Sequence, residues 1–137
     1  MKLIIYTDGA SRGNPGHASY GFVILDGQGK LVYEEGNYIG VTTNNVAEYT
    51  AVLKALKHVR EITRKSRLLR IELYADSKLV AEQLSGNYKI KAKHLKPLIE
   101  EIIFLSIELG GVIFSHVPRS KNILADRLAN EALDSKL

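Results

Sequence analysis

Near Thr43 the hydrophobic pattern of this chain changes period, and that change limits the folds open to it. Before it, residues 2–7, 18–25 and about 30–39 read as strands bounded by turn-forming residues. After it, Val46, Tyr49, Leu53, Leu56 and Val59 or Arg60 recur at helical spacing from Asn45 to about Ile62. Thr43 or Asn44 can cap that helix. Turn chemistry over Gly9–Gly16, strongest at Asn14-Pro15-Gly16, and again at Asp26-Gly27-Gln28-Gly29 joins the first three strands into an antiparallel meander. A strand is expected over 68–75, then a short helix from Asp76 or Ser77 to Leu84, ended by Ser85-Gly86-Asn87. A helix from about Pro97 to Leu109 follows, stopped by Gly110-Gly111, then a strand at 112–117 and a helix from about Lys121 to Leu133. Strands separated by helical crossovers run parallel and connect right-handedly. The expectation is an α/β fold: a mixed five-stranded sheet, strands 1–3 antiparallel, 4 and 5 parallel to 1, flanked by about four helices. All 137 residues fit a single domain.

Composition narrows the functional classes. No apolar run approaches the ~20 residues of a membrane helix, and the N-terminus lacks a signal-peptide layout. The absence of cysteine excludes disulfides and thiolate metal sites. A cytoplasmic address and no membrane partner are expected. The net charge is +4, with cations crowded at Lys54, Lys57, Arg60, Arg64, Lys65, Arg67 and Arg70, and again at Lys89, Lys91, Lys93 and Lys96. Such stretches suit a polyanion.

Against this basic background, four acidic residues sit where one element gives way to the next: Asp8, Glu48, Asp76 and Asp126. Strands 1 and 4 can lie side by side and end at one edge, which brings Asp8 and Asp76 together beside the helix carrying Glu48. Asp126, near the start of the closing helix, can complete the group. Gathered carboxylates repel one another and are stable as a set with cations bound. Singly, each has a plainer reading: Asp8 a turn, Asp76 a helix cap, Glu48 and Asp126 complements to a helix dipole. The joint placement carries the argument.

The stretches around these residues resemble ribonuclease H of the type 1 class, in its compact bacterial and archaeal branch. They are Tyr6-Thr7-Asp8-Gly9-Ala10-Ser11-Arg12-Gly13-Asn14-Pro15-Gly16, Thr43-Asn44-Asn45-Val46-Ala47-Glu48-Tyr49, Asp76-Ser77-Lys78-Leu79-Val80, and Val117-Pro118-Arg119 with Asn122 and Ala125-Asp126-Arg127-Leu128-Ala129. They occur in family order across nearly the whole chain. The resemblance implies a ribonuclease H-like fold and a metal-dependent endoribonuclease. Asp8, Glu48, Asp76 and Asp126 would bind two Mg²⁺ or Mn²⁺ ions, and the RNA strand of an RNA–DNA hybrid would be cut to 5′-phosphate and 3′-hydroxyl ends. Two ions ~3.5–4 Å apart can clamp a phosphate and activate water. Double-stranded RNA is a second partner that compact relatives admit, and a free-standing monomer is the expected form.

Selectivity for hybrids requires sensing 2′-hydroxyls on one strand. Gly9, Gly13 and Gly16 would allow close backbone approach, with Ser11 in the same stretch. Asn14, Asn44 and Asn45 both donate and accept hydrogen bonds, though turns and caps also favour them. By the resemblance, Thr43 and Asn44 fall at or beside contacts to DNA-strand phosphates. Two departures from the family stand out. The connection between Gly86 and Pro97 is too short for the basic helix of larger members, so Tyr88, Lys89, Lys91 and Lys93 are expected to grip the duplex instead. The loop that carries a catalytic histidine in many relatives is reduced to Pro118-Arg119-Ser120-Lys121. Arg119 then becomes the candidate group at the leaving side, whereas His116 alternates with Phe114 as a strand residue. Arginine stays charged and stabilises rather than shuttles protons.

Overall fold

The computed structural model describes residues 1–63 and 69–136. Strands β1 (Lys2–Gly13), β2 (Gly16–Asp26) and β3 (Leu31–Thr42) precede helix α1 (Asn44–Ile62) and strand β4 (Arg70–Ala75). Helices α2 (Lys78–Leu84) and α3 (Lys96–Glu108), strand β5 (Ile113–His116) and helix α4 (Ile123–Asp134) complete the order. The sheet runs β3-β2-β1-β4-β5, antiparallel across the first three strands and parallel from β1 through β4 to β5. Element order and strand directions are those expected.

The β1–β2 hairpin is longer than its sequence pattern suggested. Pairing continues from Asp8↔Gly21 to Gly13↔Gly16, and β3 follows β2 out to Thr42. Only β4 leaves early: its ladder with β1 ends at Thr7↔Ala75. Asp8 is therefore not the end of β1 but its first residue beyond the neighbouring strand. On α1 the core-facing residue is Val59, while Arg60 is exposed. Arg64, Lys65, Arg67 and the expected strand start at 68 lie outside the described residues.

Alternation decides which face of the sheet is covered by what. Leu3, Ile5, Phe22, Ile24, Ile71 and Leu73 are fully buried on one face, where α1 lies against β1 and β2 and is backed by α3. Each such side chain contributes roughly 1.5–3 kcal/mol by leaving water. The other face meets α4 across β1, β2 and β3. Here Asp8, Gly21 and Gly36 form a row, each opposite the next in the register. A Cβ on Gly21 would fall 2.5 Å from the Ala125 carbonyl oxygen, and one on Gly36 equally close to that of Leu128. The helix backbone thus rests directly on two residues without side chains, and Ser19 Oγ donates to the Ala129 carbonyl at 2.5 Å. No described helix is long and apolar enough to cross a membrane.

Gly21→Ala should force α4 off the sheet and cost roughly 1–3 kcal/mol, as overpacking does. Chemical denaturation compared with a variant at an exposed glycine of ordinary φ, Gly27→Ala, measures it.

Candidate active site

Each acidic residue owes its position to a local feature of the chain. Thr43 caps α1, its hydroxyl accepting from the Val46 N–H at 3.2 Å. Glu48 consequently lies beyond the first turn, where a dipole or capping role does not account for it, and it is only 6% exposed. Gly9 brings it inward: a Cβ there would lie 2.4 Å from the backbone of Ala47 and Glu48. The space on its Cβ side is therefore filled by α1, although Gly9 also lines an open cleft. Ser77 caps α2 by accepting from the Val80 N–H at 3.3 Å, which leaves Asp76 free of that duty. Asp126 does stand in the first turn of α4.

Asp8, Glu48 and Asp76 each offer a carboxylate oxygen within 4.8 Å of the others. Asp126 lies outside this set and flanks it, near enough to Asp8 to help raise that residue's pKa. Asp8 is 1% exposed, and burial, then the charges of Glu48 and Asp76, push its pKa well above the usual carboxylate range. Glu48 is raised for the same two reasons, burial first and Asp76 next, offset in part by the Gly9 N–H, Asp8 and Arg119. Glu48 Oε2 is buried and, among the described residues, has no hydrogen-bond partner. An uncompensated carboxylate oxygen among three carboxylates is a donor set made of hard oxygens alone, which suits a divalent cation.

Two recesses flank the centre. A cleft of about 470 Å³ is lined by Gly9, Ser11, Asn14, Asn44, Arg119 and Asp126, together with Asn130. Asn14 serves it indirectly, since its Oδ1 accepts from the Asn44 N–H at 3.0 Å and ties the hairpin tip to α1. A groove of about 600 Å³ gathers Asn45, Tyr88, Lys89 and Lys91 with Leu79 and Ala92. Lys93, expected to act with them, does not line that groove, although it is exposed on the same connection. His116 belongs to β5 as anticipated.

Sequence reasoning gave no role to two asparagines beside the centre. Asn122, 1% exposed, donates from Nδ2 to the Thr7 carbonyl at 2.9 Å and to Asp76 Oδ2 at 3.3 Å. Asn130 donates from Nδ2 to the Asp126 carbonyl at 2.9 Å and to Asp126 Oδ1 at 3.1 Å. The available signal was an asparagine one turn from Asp126 inside a helix, where asparagine is a poor choice.

A sheet of this order, with carboxylates where β1 and β4 part, defines a domain of the ribonuclease H-like class. Comparisons agree. The reverse transcriptase-like family model matches residues 6–132. Ribonuclease H of Clostridium botulinum is 32% identical over 151 aligned positions, covering 97% of this chain and 96% of that protein. The structure of LC11-RNase H1 in complex with RNA/DNA hybrid matches with a TM-score of 0.94 at 43% identity, covering 98% of each chain. The chain belongs to the type 1 ribonuclease H family. It spans about a third of the first curated relatives it matches, such as the bifunctional protein Rv2228c of Mycobacterium tuberculosis, 39% identical over 136 residues that cover 98% of this chain and 36% of that protein.

An acid whose pKa rises on folding binds protons more tightly in the folded state, so stability is lost as pH climbs above the ordinary carboxylate range of ~4. In chelator-containing buffer the protein should therefore melt at progressively lower temperature from mildly acidic to alkaline pH. Asp8→Asn should raise the melting temperature near neutrality and flatten the profile, which thermal scans across pH will show.

Proposed function

We propose that this chain is a divalent-cation-dependent endoribonuclease that hydrolyses the RNA strand of RNA–DNA hybrids, leaving 5′-phosphate and 3′-hydroxyl ends. The observation that carries the reading is Glu48, whose Oε2 is buried without a partner among the described residues and whose carboxylate offers an oxygen within 4.8 Å of oxygens of Asp8 and Asp76. A module that only bound nucleic acid would gain nothing from burying mutually repelling carboxylates. Asp8, Glu48, Asp76 and Asp126 would hold two cations, Mg²⁺ or Mn²⁺. When bound, such ions neutralise the scissile phosphate and activate water for in-line attack.

The rest of the site orients the duplex. In the cleft, the side chains of Ser11 and Asn44 offer hydrogen-bonding groups for 2′-hydroxyls of the RNA strand. Arg119, exposed at the same cleft and close enough to favour ionised Glu48, holds a permanent positive charge and planar donors toward a phosphate. In the neighbouring groove, Lys89 and Lys91 face the opposite backbone, while the 44% exposed Tyr88 and Leu79 offer apolar surface to its sugars. The N-terminal turn of α1, with Asn44 on one side and Asn45 on the other, separates the two recesses. Lys93 adds charge on the same connection.

The test is a panel of labelled hybrid, double-stranded RNA, single-stranded RNA and a duplex with one ribonucleotide, incubated with Mg²⁺ or Mn²⁺. Cleavage of hybrid is expected from the wild type and none from Asp76→Asn. A wild type that binds hybrid without cutting it overturns the assignment, and cutting confined to the 5′ side of a lone ribonucleotide redirects it to type 2 behaviour. Replacing Lys89 and Lys91 with alanine should lower the salt slope of hybrid affinity by roughly 0.7–0.9 for each phosphate that is no longer neutralised. Binding titrations at several salt concentrations measure that slope.

A further inference from the structure

Helix α4 carries one asparagine that its own stability does not call for. Asn130 sits in the interior of α4, where alanine would serve the helix better. An interior asparagine commonly returns its amide to the carbonyl one turn back, and Asn130 does so at 2.9 Å from the Asp126 carbonyl. The second bond is not of that kind: the same Nδ2 donates to Asp126 Oδ1 at 3.1 Å. Only the amide nitrogen can face two acceptors at once. Asp126 is the one acidic residue outside the compact set of Asp8, Glu48 and Asp76, so its position is not fixed by close packing with that set. It is bracketed by Asp8 on one side and Asn130 on the other.

The same arrangement recurs just before α4. Asn122 Nδ2 bridges the Thr7 carbonyl and Asp76 Oδ2, and its Oδ1 is buried without a hydrogen-bond partner among the described residues. A fully buried amide that leaves its own acceptor unsatisfied is costly for stability alone. Asp76 and Asp126 thus each receive one side-chain amide, from Asn122 and Asn130 respectively, and both amides come from the same segment.

We propose that Asn130 is a positioning residue that holds Asp126 in place and thereby sets the affinity of the site for divalent cations, with Asn122 acting likewise on Asp76. This rests on the reading above that the four carboxylates hold cations. Amides that orient metal-binding carboxylates typically change affinity by 10–100-fold when removed.

The experiment titrates Mn²⁺ or Mg²⁺ against the full chain without nucleic acid, following thermal stabilisation, for wild type, Asn130→Ala, Asn130→Leu and Asn122→Ser. Asn130→Leu keeps bulk and removes the donor. Both Asn130 variants should fold, melt in chelator at or above the wild-type temperature, and require roughly 10-fold more cation for half-maximal stabilisation. Hybrid cleavage lost at low cation should return at high cation, with KM for hybrid unchanged. Asn122→Ser supplies the parallel measurement at Asp76. Unchanged cation midpoints in the Asn130 variants overturn the proposal. So does a midpoint shifted in Asn130→Ala but normal in Asn130→Leu, which would make bulk the cause. A raised KM for hybrid with a normal midpoint also overturns it, by making Asn130 a nucleic-acid contact. A wild type without cation-dependent stabilisation or cleavage overturns the assigned function and this proposal with it; a normal wild type with unaltered variants overturns this one alone.

Discussion

Contact between helix backbones and residues lacking side chains governs where charge collects in this protein. On one face of the sheet, the first turns of α1 press against Gly9 and carry Glu48 to within reach of Asp8. On the other face, α4 presses against Gly21 and Gly36, in the same cross-strand row as Asp8, and carries Asp126 to its far side. Asp8 therefore lies between two helices that could not approach so closely if those glycines were any other residue. A carboxylate cluster assembled this way inherits the rigidity of the packed sheet, which is what precise positioning of functional side chains requires.

The same closeness sets an electrostatic load. Burial and like charge raise Asp8 and Glu48 together, so the folded chain binds protons there more tightly than the unfolded chain does. The core of Leu, Ile, Phe and Val on the α1 face supplies the stability against which this load is carried. Repulsion in the site is thus stored by the scaffold and relieved by opposite charge.

How much of this was legible in the sequence depended on how local each cause was. Asp8, Glu48 and Asp76 stood out because the sequence pattern puts them at element boundaries, although β1 runs on to Gly13 and Glu48 lies a full turn inside α1, and the change of period at Thr43 placed α1 within a residue or two. The cap on α2 could be either Asp76 or Ser77 by composition, and only the Ser77 hydroxyl bond to Val80 decided it. The packing role of Gly9 was hidden because its neighbour, α1, is almost forty residues away, and a glycine made for close helix packing reads like one made for a ligand. The contacts of Gly21 and Gly36 with α4, and the bonds from Asn122 back to Thr7 and Asp76, span still larger separations. Nothing in local pattern encodes them. The extended hairpin was hidden for a different reason: Gly13, Asn14, Pro15 and Gly16 announce a turn so strongly that the pairing leading up to it goes unnoticed.

Helix α4 is fastened to the rest of the molecule by unlike means at its two ends. Its start is moored by the buried, uncharged amide of Asn122, and its last residue, Asp134, by an exposed ion pair with Arg12 at the hairpin. Dissolved salt screens the second and leaves the first untouched. The helix is in effect a beam clamped at one end and tethered at the other, with Asp126 close to the clamp. Ionic strength can therefore loosen the hairpin side of the cleft without displacing the carboxylate that lies beside Asp8.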